Sequence, residues 1–210
     1  QVFINRVTRK TGVRRTTIQD ILHSVSTHAK HQYVGDTIER AYETGKLEVP
    51  AGTMYINCDW KENVDMGGGP REVSKEYYLK EATSVFGTTI FYRDSDTDEV
   101  CRVYVPTFSP VKGKGAIEAI EIEKFVLAEL QKLDWFKKVW EETAVLHGWY
   151  DQGKGFFSKE FLGFKLLEQP VAIDKVVKVQ FFEGGHGKTG ETDGVIFGNA
   201  GVGGALGELT

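Results

Sequence analysis

The sequence predicts an α+β protein in which a small helical N-terminal module precedes a larger domain of mixed antiparallel sheet and helices. Apolar residues recur at helical spacing in the first 44 residues, alternating apolar runs typical of strands follow between residues 47 and 105, and a long helical pattern begins near residue 121. A chain of 210 residues, 40% of them hydrophobic, can bury one sizeable core or two small ones. We expect the module to cover 1–58 and the larger domain 59–210.

Three short helices are predicted in the N-terminal module. The first covers 2–10 and ends at Gly12, because glycine favours the left-handed conformation of a helix C-cap. The second begins at Thr16 or Thr17, and the third covers 36–44. Apolar residues of the second helix recur at helical spacing and are expected on its buried side: Ile18, Ile21, Leu22 and Val25.

Positive charge is concentrated at the start of the chain. Residues 1–33 carry six lysine or arginine residues against one aspartate, a net +5, so the remainder carries −9 of the total −4. A basic head on an acidic body argues against general polyanion binding and for a localised contact. The predicted DNA-binding residues are Arg9, Lys10, Arg14, Arg15, Thr17, Gln19 and Lys30.

Two segments of the module resemble the HU/IHF family of DNA-bending proteins. Residues 10–13, Lys-Thr-Gly-Val, are similar to that family's Lys-Thr-Gly-Leu, and 45–54 resemble its segment before and through a β turn. The resemblance implies the family's fold and a tendency to form dimers. About nine extra residues at 26–34 separate the matching blocks, and 59–65 are acidic where the basic arm with its minor-groove wedge would follow. The resemblance therefore implies subunit packing, with phosphate contact, more than DNA bending.

A second resemblance involves the same residues. The segment 12–22 is also similar to the turn and recognition helix of a LacI-type helix-turn-helix. In that arrangement Arg14, Arg15, Thr17 and Gln19, together with Thr16, would face the major groove, where arginine and glutamine contact base edges.

The larger domain shows strand patterns at 77–79, 85–92, 100–105 and 176–182, which indicate an antiparallel sheet. Its longest helical pattern covers 121–147. Asp134 is expected to cap a second helix within that pattern.

No residue set with clear catalytic, metal-binding or cofactor-binding chemistry emerges from the sequence. Cys58 and Cys101 lie in apolar runs and are expected to be buried thiols. The acidic turn 94–98 begins like a calcium loop but lacks its glycine and final glutamate, so a hairpin tip is favoured. The segment 184–190 invites comparison with a phosphate-binding loop but lacks its first glycine, so a glycine-rich connector is favoured.

These patterns predict a non-enzymatic assembly protein of a nucleoprotein particle, with a phage virion as the preferred setting and the cytoplasm as the other location. The expected partners are further copies of the chain or other assembly proteins, with double-stranded DNA as a candidate and no membrane, because no apolar run approaches about 20 residues. The glycine-rich segment 194–207 is expected to order on a neighbouring subunit. The alternatives are a helix-turn-helix regulator and, third, an enzyme acting through Lys188 and Thr189.

Overall fold

A long helix precedes a mixed β-sheet whose later strands alternate with helices. A computed structural model of the chain describes residues 15–60, 64–66, 81–110, 113–153 and 155–182. In chain order the elements are α1 (Arg15–Leu47), β1 (Thr53–Trp60), β2 (Val64–Met66), β3 (Glu81–Arg93), β4 (Val100–Ser109), α2 (Ala116–Leu130), α3 (Asp134–Glu142), β5 (Val145–Tyr150), α4 (Lys159–Gly163), a π-helical turn (Phe164–Glu168), α5 (Gln169–Ile173) and β6 (Val176–Phe181). The predicted α+β class is confirmed.

The sheet is built outward from β1. β3 pairs antiparallel with β1, and β4 pairs antiparallel with β3. On the other side of β1, β5 and then β6 are added in parallel. With the short β2 left aside, the order is β4-β3-β1-β5-β6, in which only β3 is antiparallel to the others. Four strands therefore end at one edge, which we call the carboxyl edge.

Part of the predicted secondary structure is wrong. The antiparallel arrangement holds for β1, β3 and β4, but β5 and β6 are parallel, because helical connections give the chain enough length to return to the same edge. The predicted helix 121–147 stops at Glu142, and β5 follows, where β-branched and aromatic residues favour a strand. Asp134 is the first residue of α3, and its cap is Leu133 without a side-chain hydrogen bond.

The helix α1 is continuous where separate helices were predicted. It runs through the nine extra residues at 26–34 and ends two residues beyond Gly45. Ile18 is buried as expected, but the expected buried face beyond it is wrong: Ile21, Leu22 and Val25 are 55%, 41% and 61% exposed. No described element packs against this stretch closely enough to bury it.

The sheet separates two hydrophobic clusters. On the core face, which α2 to α5 cover, β1 and β5 contribute Met54, Ile56, Cys58, Leu146 and Tyr150. On the opposite face, which we call the α1 face, the cluster consists of Tyr42, Val49, Phe91, Trp149 and Phe182.

Two further predictions concern β1 and the thiols. Both cysteines are free, with Cys58 buried as predicted and Cys101 half-buried. The predicted boundary between residues 58 and 59 falls inside β1. The division into two modules stays a prediction, because residues 1–14 lie outside the described part of the chain.

Candidate functional site

Two aspartates occupy equivalent positions at the carboxyl edge. β1 and β5 are parallel and paired in register up to Cys58 and Tyr150. Asp59 and Asp151 are the next residues of these two strands. Since neighbouring strands lie about 4.8 Å apart, the backbones at these two residues are neighbours at the carboxyl edge.

Asp59 belongs to the α1 face. Side chains alternate along a strand, and Cys58 and Tyr150 lie in the cluster of the core face. Asp59, within β1, therefore points the other way, and the same alternation continued one residue past β5 would place Asp151 on the side of Trp149. Asp59 is only 8% exposed.

A tight turn orients Asp151. The backbone N–H of Gly153 donates a hydrogen bond of 3.0 Å to Oδ1 of Asp151. A Cβ built at Gly153 would lie 2.9 Å from Oδ2 and 3.0 Å from Oδ1 of the same carboxylate. Glycine at this position lets the backbone approach the carboxylate closely.

Buried polar groups line the α1 face beside the pair. The Asn57 side chain, two residues before Asp59, donates from Nδ2 to the backbone carbonyl of Trp149 at 3.2 Å and so links β1 to β5. Thr89, opposite Asn57 on β3, is also fully buried. These buried and hydrogen-bonded polar side chains hold the strand ends in fixed relative positions.

The loop that follows β4 lies at the same edge. A Cβ built at Gly155 would lie 2.8 Å from the Lys114 carbonyl oxygen and 3.2 Å from Nε1 of Trp60, the residue after Asp59. Lys114 therefore belongs to the surroundings of the β1 end, and α2 begins two residues later at Ala116. The backbone of this loop therefore borders the carboxyl edge, on the side where Trp60 packs against the core-face cluster.

A buried charged network lies behind the edge, on the core face. Lys165, in the π-helical turn, forms an ion pair with Glu123 of α2 and donates to Oε1 of Gln169 at 3.0 Å. The Tyr150 hydroxyl donates to Oε2 of Glu123 at 3.2 Å. Burial raises the pKa of Tyr150 and of the Cys58 thiol, and the negative charge of Glu123 raises both further.

The structure does not bring the predicted DNA-binding residues together into a described site. Arg9, Lys10 and Arg14 lie outside the described residues, as does the Gly12 turn. Arg15 and Thr17 fall in the first turns of α1, and their side chains are also outside the described part. Two more positions on α1 are exposed, Gln19 and Lys30.

The two sequence segments with incomplete ligand motifs have different outcomes. Residues 94–98 form the tip of the β3–β4 hairpin, as predicted, and Oδ1 of Asp94 accepts backbone N–H groups of Asp96 and Thr97, each at 2.9 Å. The glycine-rich segment with Lys188 and Thr189 lies outside the described residues.

Sequence reasoning missed Asp59 and Asp151. The available signal was the position of each aspartate directly after an apolar run, with Asp151 two residues before a glycine. The pairing of β1 with β5 could not be read from that signal, because these strands are more than 80 residues apart in the chain. Among the described residues, no group of three or more histidine, cysteine or acidic side chains is placed to hold a metal ion.

The chain matches no protein-family model, no curated protein and no solved structure. Within the described part of the chain, no helix has both the length and the apolar character needed to span a membrane.

Proposed function

We propose that this chain is a metal-dependent phosphoryl-transfer enzyme acting on nucleic acid, with Asp59 and Asp151 as its metal-holding carboxylates. The observation that carries the proposal is that these two aspartates directly follow Cys58 and Tyr150, the last paired residues of two adjacent parallel strands. Ligand sites of sheets with parallel strands lie outside the carboxyl ends of those strands.

The donor set fits Mg²⁺. This ion prefers oxygen ligands, keeps several waters, and is commonly held by one or two carboxylates together with substrate phosphates. Asp59 and Asp151 provide two carboxylates without a nearby thiolate on the same face, since Cys58 points to the core. Mg²⁺ supplies Lewis-acid activation of a phosphoryl oxygen and of the attacking water or hydroxyl.

The protein's own groups have three roles in this proposal. Asp59 and Asp151 place negative charge where the cation is needed. The Gly153 N–H fixes one oxygen of Asp151, so the orientation of that carboxylate is set before substrate binds. Lys114, in the loop whose backbone borders this edge, is the proposed contact for a phosphate backbone.

The charge distribution of the sequence supports nucleic acid as the substrate. The first 33 residues carry a net charge of +5, which favours contact with a phosphate backbone. The sheet order brings four strand ends to the carboxyl edge, which is where the proposed metal site lies.

The experiment is a cleavage assay with end-labelled single-stranded DNA, duplex DNA and an RNA–DNA hybrid, in Mg²⁺, Mn²⁺ or excess EDTA. We expect cleavage of at least one substrate in either metal and none in EDTA. Asp59→Asn and Asp151→Asn should each lower the rate by at least about 100-fold, because the metal's contribution of several kcal/mol is lost.

The matched control is Asp98→Asn, at the hairpin tip on the opposite edge, where Asn tolerates the positive φ of 58°. It should retain full activity. The acidic residues that follow β6 in the sequence, Glu183, Glu191 and Asp193, lie outside the described part, and their amide variants show whether one of them is also needed. Metal-dependent cleavage that is unchanged in both Asp59→Asn and Asp151→Asn would refute the proposal.

The non-enzymatic assembly role predicted from sequence stays a prediction. If no substrate is cleaved in either metal while the chain still binds DNA and self-associates, that earlier hypothesis becomes the better one. Sedimentation of the protein with and without duplex DNA would measure both properties.

A further inference from the structure

The buried charged network lies on the core face, behind the carboxyl edge. It includes Tyr150, the residue that precedes Asp151. Glu123, Lys165 and Tyr150 are at most 1% exposed, and Gln169 is 3% exposed. The four side chains come from α2, the π-helical turn, β5 and α5. Their contacts therefore connect three helical segments, α2, the π-helical turn and α5, to Tyr150 at the end of β5.

Tyr150 is held from several sides. Its ring lies 5.1 Å from the Lys165 ammonium and packs edge-on against Phe161 at 4.9 Å, while its hydroxyl donates to Glu123. A Cβ built at Gly148 would lie 2.4 Å from both Cε2 and the hydroxyl oxygen of Tyr150. Glycine at 148 therefore allows the ring to fold back along the strand, which brings the hydroxyl to Glu123.

Stability alone does not explain this arrangement. A buried ion pair is often no more stabilising than apolar residues of similar size, because both charges lose their hydration. The ion pair instead fixes the relative positions of the segments that carry it, because its charges and hydrogen bonds are satisfied in only one arrangement. π-Helical turns such as the one that carries Lys165 also occur frequently at functional sites.

We propose that Glu123, Lys165 and Tyr150 are positioning residues that fix the end of β5 and thereby hold the Asp151 carboxylate in place for the metal. The proposal rests on the proposed function. It assigns no contact with substrate to the three residues, which act through the backbone between Tyr150 and Asp151.

The test compares two variants that disturb the network in different ways. Tyr150→Phe removes one hydroxyl and keeps the ring, whereas the double variant Glu123→Leu/Lys165→Met replaces the ion pair by apolar side chains that leave no unpaired charge. Tyr92→Phe, at the opposite edge, is the matched control. The measurements are Mn²⁺ affinity by titration calorimetry, urea unfolding, and kcat and KM for cleavage.

A positioning role predicts that both variants fold and bind Mn²⁺ about tenfold more weakly, as is usual when groups that support metal ligands are lost. kcat should fall while KM for nucleic acid stays the same, and Tyr92→Phe should bind Mn²⁺ like the parent protein. If one variant fails to fold, the other decides the question.

The outcomes separate the two proposals. If the parent binds Mn²⁺ through Asp59 and Asp151 but the folded network variants bind it equally well, the positioning role is wrong and the proposed function stands. If the parent shows no Mn²⁺ binding that depends on Asp59, the proposed function fails, and the positioning role fails with it.

Discussion

At the scale of single residues, the geometry of the candidate site depends on the small size of Gly153. This residue does not adopt a positive φ, so its backbone conformation is also accessible to alanine. The obstacle is the Asp151 carboxylate, with oxygens 2.9 Å and 3.0 Å from the position that a Cβ would take. Because these oxygens are at the end of a side chain, they can move without unfolding the protein.

We therefore expect Gly153→Ala to separate stability from metal binding. The free energy of unfolding should change by less than about 1 kcal/mol, whereas Mg²⁺ or Mn²⁺ affinity should fall about tenfold as the carboxylate shifts. Urea unfolding and titration calorimetry measure the two quantities. Gly163→Ala is the control, since no atom lies within 4 Å of its added Cβ and helical glycine is replaced favourably by alanine. Equal metal affinity in Gly153→Ala and the parent would contradict this account of the turn.

At the scale of secondary-structure elements, α1 divides into two parts with different surroundings. Near its C-terminal end, Tyr42 is 2% exposed and lies 5.1 Å, between ring centroids, from both Trp149 and Phe182. Nearer its start, Val25 is 61% exposed. The docking of α1 on the sheet therefore depends on its last turns.

This division predicts different costs for two truncations on the same helix. Tyr42→Ala should destabilise the protein by about 3–5 kcal/mol, because it empties an aromatic cluster. Val25→Ala should change stability by no more than about 0.5 kcal/mol. Chemical denaturation followed by circular dichroism measures both. A cost above 1 kcal/mol for Val25→Ala would mean that the exposed stretch is packed in solution, for instance against a second copy.

The elements also show what could be predicted from sequence. Local patterns located β3, β4 and β6 and the break near Asp134, because alternation and turn residues are local properties. They did not show that α1 is continuous or that 145–150 form a strand. Both depend on packing partners distant in the chain. For the same reason, the parallel register of β1 with β5, after which Asp59 and Asp151 follow, could not be predicted.

At the scale of the whole molecule, charge and the carboxyl edge suggest separate roles for two regions. The first 33 residues carry a net charge of +5 and the rest −9. A basic head can hold a phosphate backbone through counterion release, but an acidic edge cannot bind nucleic acid without a cation. Binding and cleavage should therefore respond to different substitutions.

The last prediction tests this separation. Arg14→Ala/Arg15→Ala should weaken binding to duplex DNA and lower the slope of log affinity against log salt by about 2, because each lost phosphate contact removes close to one released counterion. Its kcat at saturating substrate should match the parent's, since the carboxyl edge is unchanged. Asp59→Asn should show the converse, with binding retained in EDTA and cleavage lost.

Fluorescence anisotropy across a salt series measures the slope. The charge-matched control is Lys132→Ala/Lys137→Ala, which removes two exposed lysines near the start of α3. An unchanged slope in the arginine variant would assign phosphate contact to another part of the chain, with Lys114 at the carboxyl edge the first residue to test.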